Sequence, residues 1–341
     1  MLGESQRALH VAGEVYSVKS LYIDRRESML EAEGGRLIVR LPGQEKPFSA
    51  PLSVLEMIIV SAPVELSSTL LLRLSKAGIS VIFLHPRDHE SSCIAYGPMH
   101  NSAERRLLQY RAIADEASRL RYSIMLVRQK LRGQLATLNR LMGHRQDQRL
   151  PLFKGTQRLA SLLRGIQDVG NIGTLRGIEG SGAAAYFEAY QSVFAPRLQF
   201  EGRNRRPPRD PVNVILSLTY TLLHAESTRA LLSVGFDPQL GVYHQPDFGR
   251  ESLACDLTEI FRPLADFWIW QLFSEELLRP DHFAMTGDKE RPCMLGKAGR
   301  AIYYENYDGQ AQRWRRMMRK TAYRWLRLLQ TDVQDPQRES V

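Results

Sequence analysis

A chain of 341 residues with 43% hydrophobic and 24% charged side chains has an ordinary globular makeup and enough length for two cores, which sets aside a disordered or fibrous protein. Lys plus Arg (46) exceeds Asp plus Glu (37), and the resulting +9 favours a polyanionic partner, either nucleic acid or an acidic membrane surface. Cys93, Cys255 and Cys293 lie far apart without a CxxC pair, against a zinc cluster or disulfide framework, and no run approaches the roughly 20 apolar residues that span a bilayer.

The first thirty residues mix Glu4, Arg7 and Glu14 with short apolar runs, so no secretory leader is expected and the chain reads as cytoplasmic. Residues 1–97 are strand-rich. Leu37–Leu41 ends at Pro42-Gly43, and Glu56–Val60 ends near Pro63, each a β-branched run closed by turn residues. Leu66–Ala77 has helical spacing and stops at Gly78, as a helix with a glycine C′ does. A buried strand, Ile79–Leu84, follows, and His85–His89 is a polar break.

From residue 98 onward the grammar is helical. Long helices are predicted, and residues 104–142 keep Leu107, Leu108, Ile113, Leu120, Ile124, Leu131, Leu135 and Leu138 at helical intervals. Residues 102–149 hold eleven Arg/Lys against four Asp/Glu, a solvated face that also suits a polyanion. Helical signals run on to about 330, interrupted by a loop at Gly202–Pro208. The expected fold class is therefore α+β: a small N-terminal β-rich domain (1–97) before a larger all-α-helical domain (98–335).

Three segments carry chemistry. In Leu175–Phe187 a helix begins near Thr174, and glycines flank Glu179, so either a neighbouring helix or a substrate approaches the backbone closely. Next, His244 falls in a turn punctuated by Gly and Pro. Leu253, Leu257, Ile260 and Phe261 then form an apolar stripe, with Asp256 and Glu259 at i, i+3 on the other side, and Pro263 is expected to end the helix. An imidazole with nearby carboxylates suits Mn²⁺, or Mg²⁺ completed by phosphate oxygens, and phosphodiester chemistry. The same residues equally suit a histidine held by an acid for structure, and residue types alone leave both readings open. The third feature is basic: 197–209 carries five arginines, and Arg313–Arg327 interleaves seven Arg/Lys with Trp314, Tyr323 and Trp325. Arginines with aromatics bind phosphates and stack on bases, although the aromatics equally suit packing on the core.

Together these segments resemble the CRISPR adaptation integrases. LRGIEGSGAAAYF resembles that family's first metal motif, and GFDPQLGVYH with GRESLACDLTEIFRP resembles the second and third. Between them, RNRRPPRDPVNVILSLTYTLL is similar to an arginine- and proline-rich loop leading into an Asp-x-x-Asn helix; LSSTLLLRLSKAGISVIFL agrees more weakly. The resemblance implies a homodimer that cuts and joins double-stranded DNA at a CRISPR repeat array, dependent on Mg²⁺ or Mn²⁺, with a small ferredoxin-fold subunit as partner and no membrane. By position it implies Glu179, His244 and Glu259 as catalytic metal ligands and Asp256 as an auxiliary acid. The family's last position takes Asp or Glu, so Asp256 stands beside Glu259 as a candidate third ligand. Arg176, Arg205, Arg206, Arg209 and Arg250 are the expected DNA contacts. Residues 85–97 lack the glycine-rich turn expected in the β domain, a departure that bears on the dimer edge. A non-catalytic nucleic-acid scaffold and a metal-dependent RNA-processing nuclease are the rival functions.

Overall fold

The computed structural model describes residues 20–85, 92–97, 100, 102–204, 207–245, 247, 249–284 and 293–332, with the backbone of 9–11, 14–16 and 333–334. Two compact units form, Met1–Met99 with Leu295–Arg313, and His100–Met294 with Trp314–Val341. Residues 297–313 of the first unit are the N-terminal part of a long helix whose remainder, from Trp314, belongs to the second.

Strands come first, as the β-branched runs require. β1 (Leu9–Val11), β2 (Glu14–Tyr16) and β3 (Ser20–Ile23) precede β4 (Ser28–Glu33), β5 (Arg36–Arg40) and β6 (Phe48–Pro51). β7 (Met57–Val60), β8 (Val64–Leu66), β9 (Ser80–Phe83) and β10 (Cys93–Ala95) follow. One sheet has the order β1-β2-β3-β7-β9-β10, with β3, β7 and β9 parallel; the other has the order β6-β5-β4-β8. The second sheet alternates as a half-buried sheet should: Leu30, Leu37 and Val39 point inward while Met29, Glu31 and Arg36 face out. In β7 every residue of Met-Ile-Ile-Val is buried, the mark of a parallel strand covered on both faces.

Between β8 and β9 lies α1 (Ser68–Lys76), capped by Ser67, whose hydroxyl accepts from the Leu70 N–H. It ends where the sequence predicts. Gly78 adopts φ +71°, and the Ile79 N–H donates to the Leu74 carbonyl, closing the last turn. Leu70 and Leu74 join Leu21, Ile23, Leu30, Leu37, Val39, Ile58, Val60 and Val81 in one core. On the chain's return into this unit, Tyr304 stacks on Tyr22 at 4.1 Å, and Arg300 lies 2.9 Å from Asp24. Of the polar break predicted at 85–89, residues 86–89 lie outside the described residues.

The second unit is helical. The helical stretch predicted over 104–142 forms two helices, α2 (Ala103–Ala114) and α3 (Glu116–His144), because Asp115 leaves helical geometry and accepts from the Ser118 N–H as a cap. α4 (Arg149–Gly165) and α5 (Ile172–Gln191) follow; α5 begins at Asn171, whose Oδ1 accepts from the Thr174 N–H, rather than at Thr174 itself. α6 (Pro211–Val234) is apolar nearly all round and buried nearly all round. α7 (Ser252–Ser274) and the part of α8 (Lys297–Gln334) from Trp314 onward complete the unit, and α3 packs against α4, α5 and α7.

Pro263 does not end α7, contrary to expectation. It sits mid-helix, and its ring lies over Gly133 of α3, where a Cβ would come within 3.3 Å of the proline Cγ. The buried Thr137 hydroxyl donates to the Pro263 carbonyl at 2.8 Å. Tertiary packing thus carries the helix through a residue that cannot complete its ladder; the hydrogen bond forgone is the one to the carbonyl of Glu259. Among the described residues no helix is long and apolar enough to cross a membrane.

Candidate metal centre

Glu179 stands on α5 among small residues whose purposes now separate. A Cβ on Gly182 would collide with Leu131, so this glycine lets α5 approach α3. Gly177 and Gly180 have nothing within 4 Å of a built Cβ and line an open face. The Glu179 side chain is 23% exposed, between these two environments.

The histidine loop is fixed from two sides. Gln109 of α2, itself buried, donates to the carbonyls of Asp237 (2.8 Å) and Leu240 (2.9 Å) and accepts from the Asp237 N–H (2.8 Å). From α7, the fully buried Asp256 carboxylate takes up the other end. Its Oδ2 accepts from the N–H groups of Val242 (2.8 Å) and Tyr243 (3.1 Å); its Oδ1 accepts from the His244 N–H (3.1 Å) and lies 2.6 Å from the imidazole Nδ1. With Asp256 ionised, that contact puts the imidazole proton on Nδ1 and leaves Nε2 as a lone-pair donor. Gly241 is required here, because a Cβ would stand 2.8 Å from Asp256 Oδ2 and from the His244 carbonyl oxygen.

One turn further along α7, Glu259 is buried against two cations. Lys130 of α3 places its ammonium 2.6 Å from Glu259 Oε2 and also pairs with Glu179 Oε1; Arg262 pairs with Glu259 Oε1 and lies over the Tyr220 ring at 4.5 Å. Burial alone would raise the Glu259 carboxyl, but the Arg262 and Lys130 charges, with a contribution from His244, hold it well below the usual carboxylate range. Burial likewise opposes the Lys130 ammonium, and Glu259 and Glu179 more than offset it, so that its pKa is raised. Burial, then the negative charge of Glu179, raises the Tyr243 phenol, which stays protonated beside the acids.

Among the described residues, no three His, Cys, Asp or Glu side chains stand grouped as a ready metal cage. Instead the Lys130 ammonium bridges the two carboxylates. The donor set itself fits a hard divalent cation: two carboxylates, and an imidazole whose far nitrogen is fixed by a third. A buried cation between Glu179 and Glu259 supplies the positive charge that such a pair demands.

The expected DNA contacts divide. Arg176, Arg209 and Arg250 are exposed, whereas Arg205 and Arg206 lie outside the described residues. Arg203 turns inward, donating to Asn213 Oδ1 (2.8 Å) and Ser217 Oγ (3.1 Å). Asp210 caps α6 by accepting from the Asn213 N–H at 2.8 Å, so the Asp-x-x-Asn pair anchors the loop. On α8, Trp314 is buried against Trp268, and Arg315 is buried in a 2.6 Å pair with Glu226; core packing explains both. Arg316, Lys320, Arg324 and Arg327 remain as an exposed stripe at helical spacing. Sequence reading missed Lys130 and Arg262. The available signal for Lys130 was a lysine at a core position of its helix, in step with Val127, Gln134 and Leu138.

A family model described as CRISPR associated protein Cas1 matches residues 21–309. The Cas1 1 endonuclease of Thermodesulfovibrio yellowstonii is 33% identical over 306 residues, 89% of this chain and 94% of that protein. The Cas1 3 endonuclease of Thermus thermophilus is 33% identical over 265 residues, 77% of this chain and 76% of that one. In fold, the chain is similar to a Cas1 protein from Thermotoga maritima (TM-score 0.76, 21% identity, 91% and 96% covered). A casposase bound to its integration product shares that fold at TM-score 0.74, 21% identity and 90% coverage of both chains.

Proposed function

Because this chain belongs to the Cas1 family of CRISPR-associated proteins, we propose that it is a divalent-metal-dependent DNA endonuclease and integrase that inserts spacer DNA into a CRISPR array, with Glu179, His244 and Glu259 as ligands. The observation that carries the reading is the arrangement around Lys130: two carboxylates converge on one buried cation, and His244, whose charge acts on Glu259, is locked by a carboxylate of its own. Carboxylates and imidazole make this a Mn²⁺ or Mg²⁺ site, and the bound ion would polarise the scissile phosphate and lower the pKa of the attacking hydroxyl or water.

The chain's own residues do the rest. Asp256 holds His244 in one tautomer and orientation through Nδ1, and its four N–H contacts support a positioning role, with Glu259 as the third ligand. Arg262 keeps Glu259 ionised in a buried place. Lys130 must leave the carboxylates when the site is loaded, because its ammonium occupies the gap between them. Arg176 and Arg250, exposed near Glu179 and Cys255 in the chain, suit phosphate oxygens of the DNA.

Double-stranded DNA, a second copy of the chain and a small ferredoxin-fold subunit are the proposed partners, at work in the cytoplasm. The copies would join through the β-rich unit, where β6 and β8 are sheet edges. The test is cutting and strand transfer on linear and repeat-bearing duplexes with Mn²⁺ or Mg²⁺. Glu179→Ala and His244→Ala should each abolish both reactions with unchanged circular dichroism. Glu259→Ala should also lose activity, and in addition lose stability, since it strips Lys130 and Arg262 of their partner. Full activity in either of the first two variants would end the assignment.

A further inference from the structure

Where the N-terminal end of α7 meets α6, three side chains line up that the reaction above does not use. The Cys255 sulfur lies 4.0 Å from Nδ1 of His224, whose Nε2 lies 2.9 Å from Oε2 of Glu251. The Thr228 hydroxyl lies 2.8 Å from the same Glu251 oxygen and 3.0 Å from the His224 carbonyl, so its one proton is shared between these two acceptors. The thiol and the carboxylate meet opposite nitrogens of the ring, so the three groups do not converge on a metal; they form a thiol–imidazole–carboxylate relay. All three are half-buried, so the cluster keeps some contact with solvent.

We propose that Cys255 is a modification site: a thiol activated by His224 and Glu251 to react with hydroperoxides. In the step, the sulfur attacks one oxygen of hydrogen peroxide. The S–O bond forms as the O–O bond breaks, the departing hydroxide takes the proton from the His224 imidazolium and leaves as water, and Cys255 becomes a sulfenic acid. Sulfur is oxidised by two electrons and peroxide is reduced by two.

The electrostatics agree with this geometry. Burial opposes the charged imidazole, but hydrogen bonds to Cys255 and Glu251 outweigh it and push His224 up to about 9, so the ring is a cation at neutral pH. Burial raises the Cys255 thiol, and the His224 hydrogen bond and charge, helped by Arg250 and more distantly by His244, bring it below its ordinary value. The other thiols differ. Cys293 is buried and pushed up to about 12, and Cys93 is exposed. The reacting sulfur precedes Asp256, the carboxylate that holds His244.

The experiment exposes the reduced, full-length chain to hydrogen peroxide at neutral pH, traps sulfenic acid with dimedone and quantifies each cysteine peptide by mass spectrometry over time. Cys255 should be labelled about tenfold faster than Cys93 despite its lower exposure. His224→Gln and Glu251→Gln should each slow Cys255 by a similar factor while Cys93 keeps its rate. Labelling of Cys255 no faster than Cys93 in the unaltered protein would overturn the proposal, and so would an unchanged Cys255 rate in a folded His224→Gln or Glu251→Gln variant. The unaltered protein alone supplies the first comparison, whatever the variants' stability.

Discussion

Nδ1 of His244 lies 2.6 Å from Oδ1 of Asp256, and three backbone N–H groups of the same loop donate to that one carboxylate. The acid therefore does two jobs, shaping the loop and aiming the ring. Asp256→Ala would orphan buried donors, each costing about 1–3 kcal/mol when left unsatisfied. The expected result is a lower urea midpoint together with an activity loss of about 10–100-fold, the scale of removing a ligand's supporting partner. Glu179→Ala, by contrast, should lose activity without losing stability. An Asp256→Ala protein with the unaltered protein's midpoint would show that the loop holds itself.

Lys130 supplies the second prediction. Replacing it with methionine takes the shared ammonium from Glu179 and Glu259 and leaves Arg262 paired with Glu259. Removing one member of a buried ion pair costs roughly 3 kcal/mol, so metal-free Lys130→Met should melt well below the unaltered protein. Mn²⁺ should then raise its melting temperature by more than it raises that of the unaltered protein, since no ammonium has to be displaced first. A Mn²⁺-induced rise equal to or smaller than that of the unaltered protein would mean that the cation does not take the lysine's place.

Much of this was legible in the sequence, and what was not has a physical cause. Local chemistry fixes α1, because Ser67 and Gly78 decide its ends whatever surrounds them. Glu179, His244, Asp256 and Glu259 were singled out by spacing and family motif; Glu179 lies on α5 and Asp256 and Glu259 on α7, two helices that both pack on α3. The apolar period over 104–142 carries no mark of the boundary at Asp115, a cap that divides it into two helices. Pro263 was misread: the proline expected to end a helix is held by Gly133 and Thr137 of another helix. Lys130 stayed invisible because its partners are 49 residues away on α5 and far beyond on α7. An ion pair between helices leaves no local pattern.

Asp266 gives a prediction in pH. It is fully buried, accepts from the hydroxyls of Tyr220 (2.6 Å) and Tyr186 (2.8 Å), and sits at about 6: burial raises it, and the two phenols and Arg262 recover only part of the shift. Its folded value lies above the roughly 3.9 of an unfolded chain, so the folded state binds the extra proton between those two values. The contribution of this group to stability is therefore full below about pH 4, declines as pH rises to about 6, and is level above that. Asp266→Asn should remove this declining component, so the difference in urea midpoint between variant and unaltered protein should change across pH 4–6 and hold constant from 6 to 8. A difference independent of pH over the whole range would place the Asp266 titration elsewhere.

The arginines divide by the direction they face, and salt dependence reads that division. Arg316, Lys320, Arg324 and Arg327 form an exposed stripe on α8, whereas Arg315 is buried against Glu226 and Arg203 is tied to Asn213 and Ser217. If the stripe neutralises phosphates, Arg316→Ala/Lys320→Ala/Arg324→Ala should weaken binding to two unrelated duplexes about equally. Each lost phosphate contact should also flatten the slope of log affinity against log salt by about 0.9. Arg205→Ala/Arg206→Ala should do the same if that loop reaches the backbone. Arg315→Gln belongs to the other class: it leaves Glu226 without its buried partner, so it should lower the urea midpoint and leave the salt slope where it was. A base-reading residue would behave in a third way, relaxing preference at one position with little change in slope. An unchanged slope on both duplexes in the triple variant would mean that the stripe serves solvation or a protein partner and that the DNA runs elsewhere.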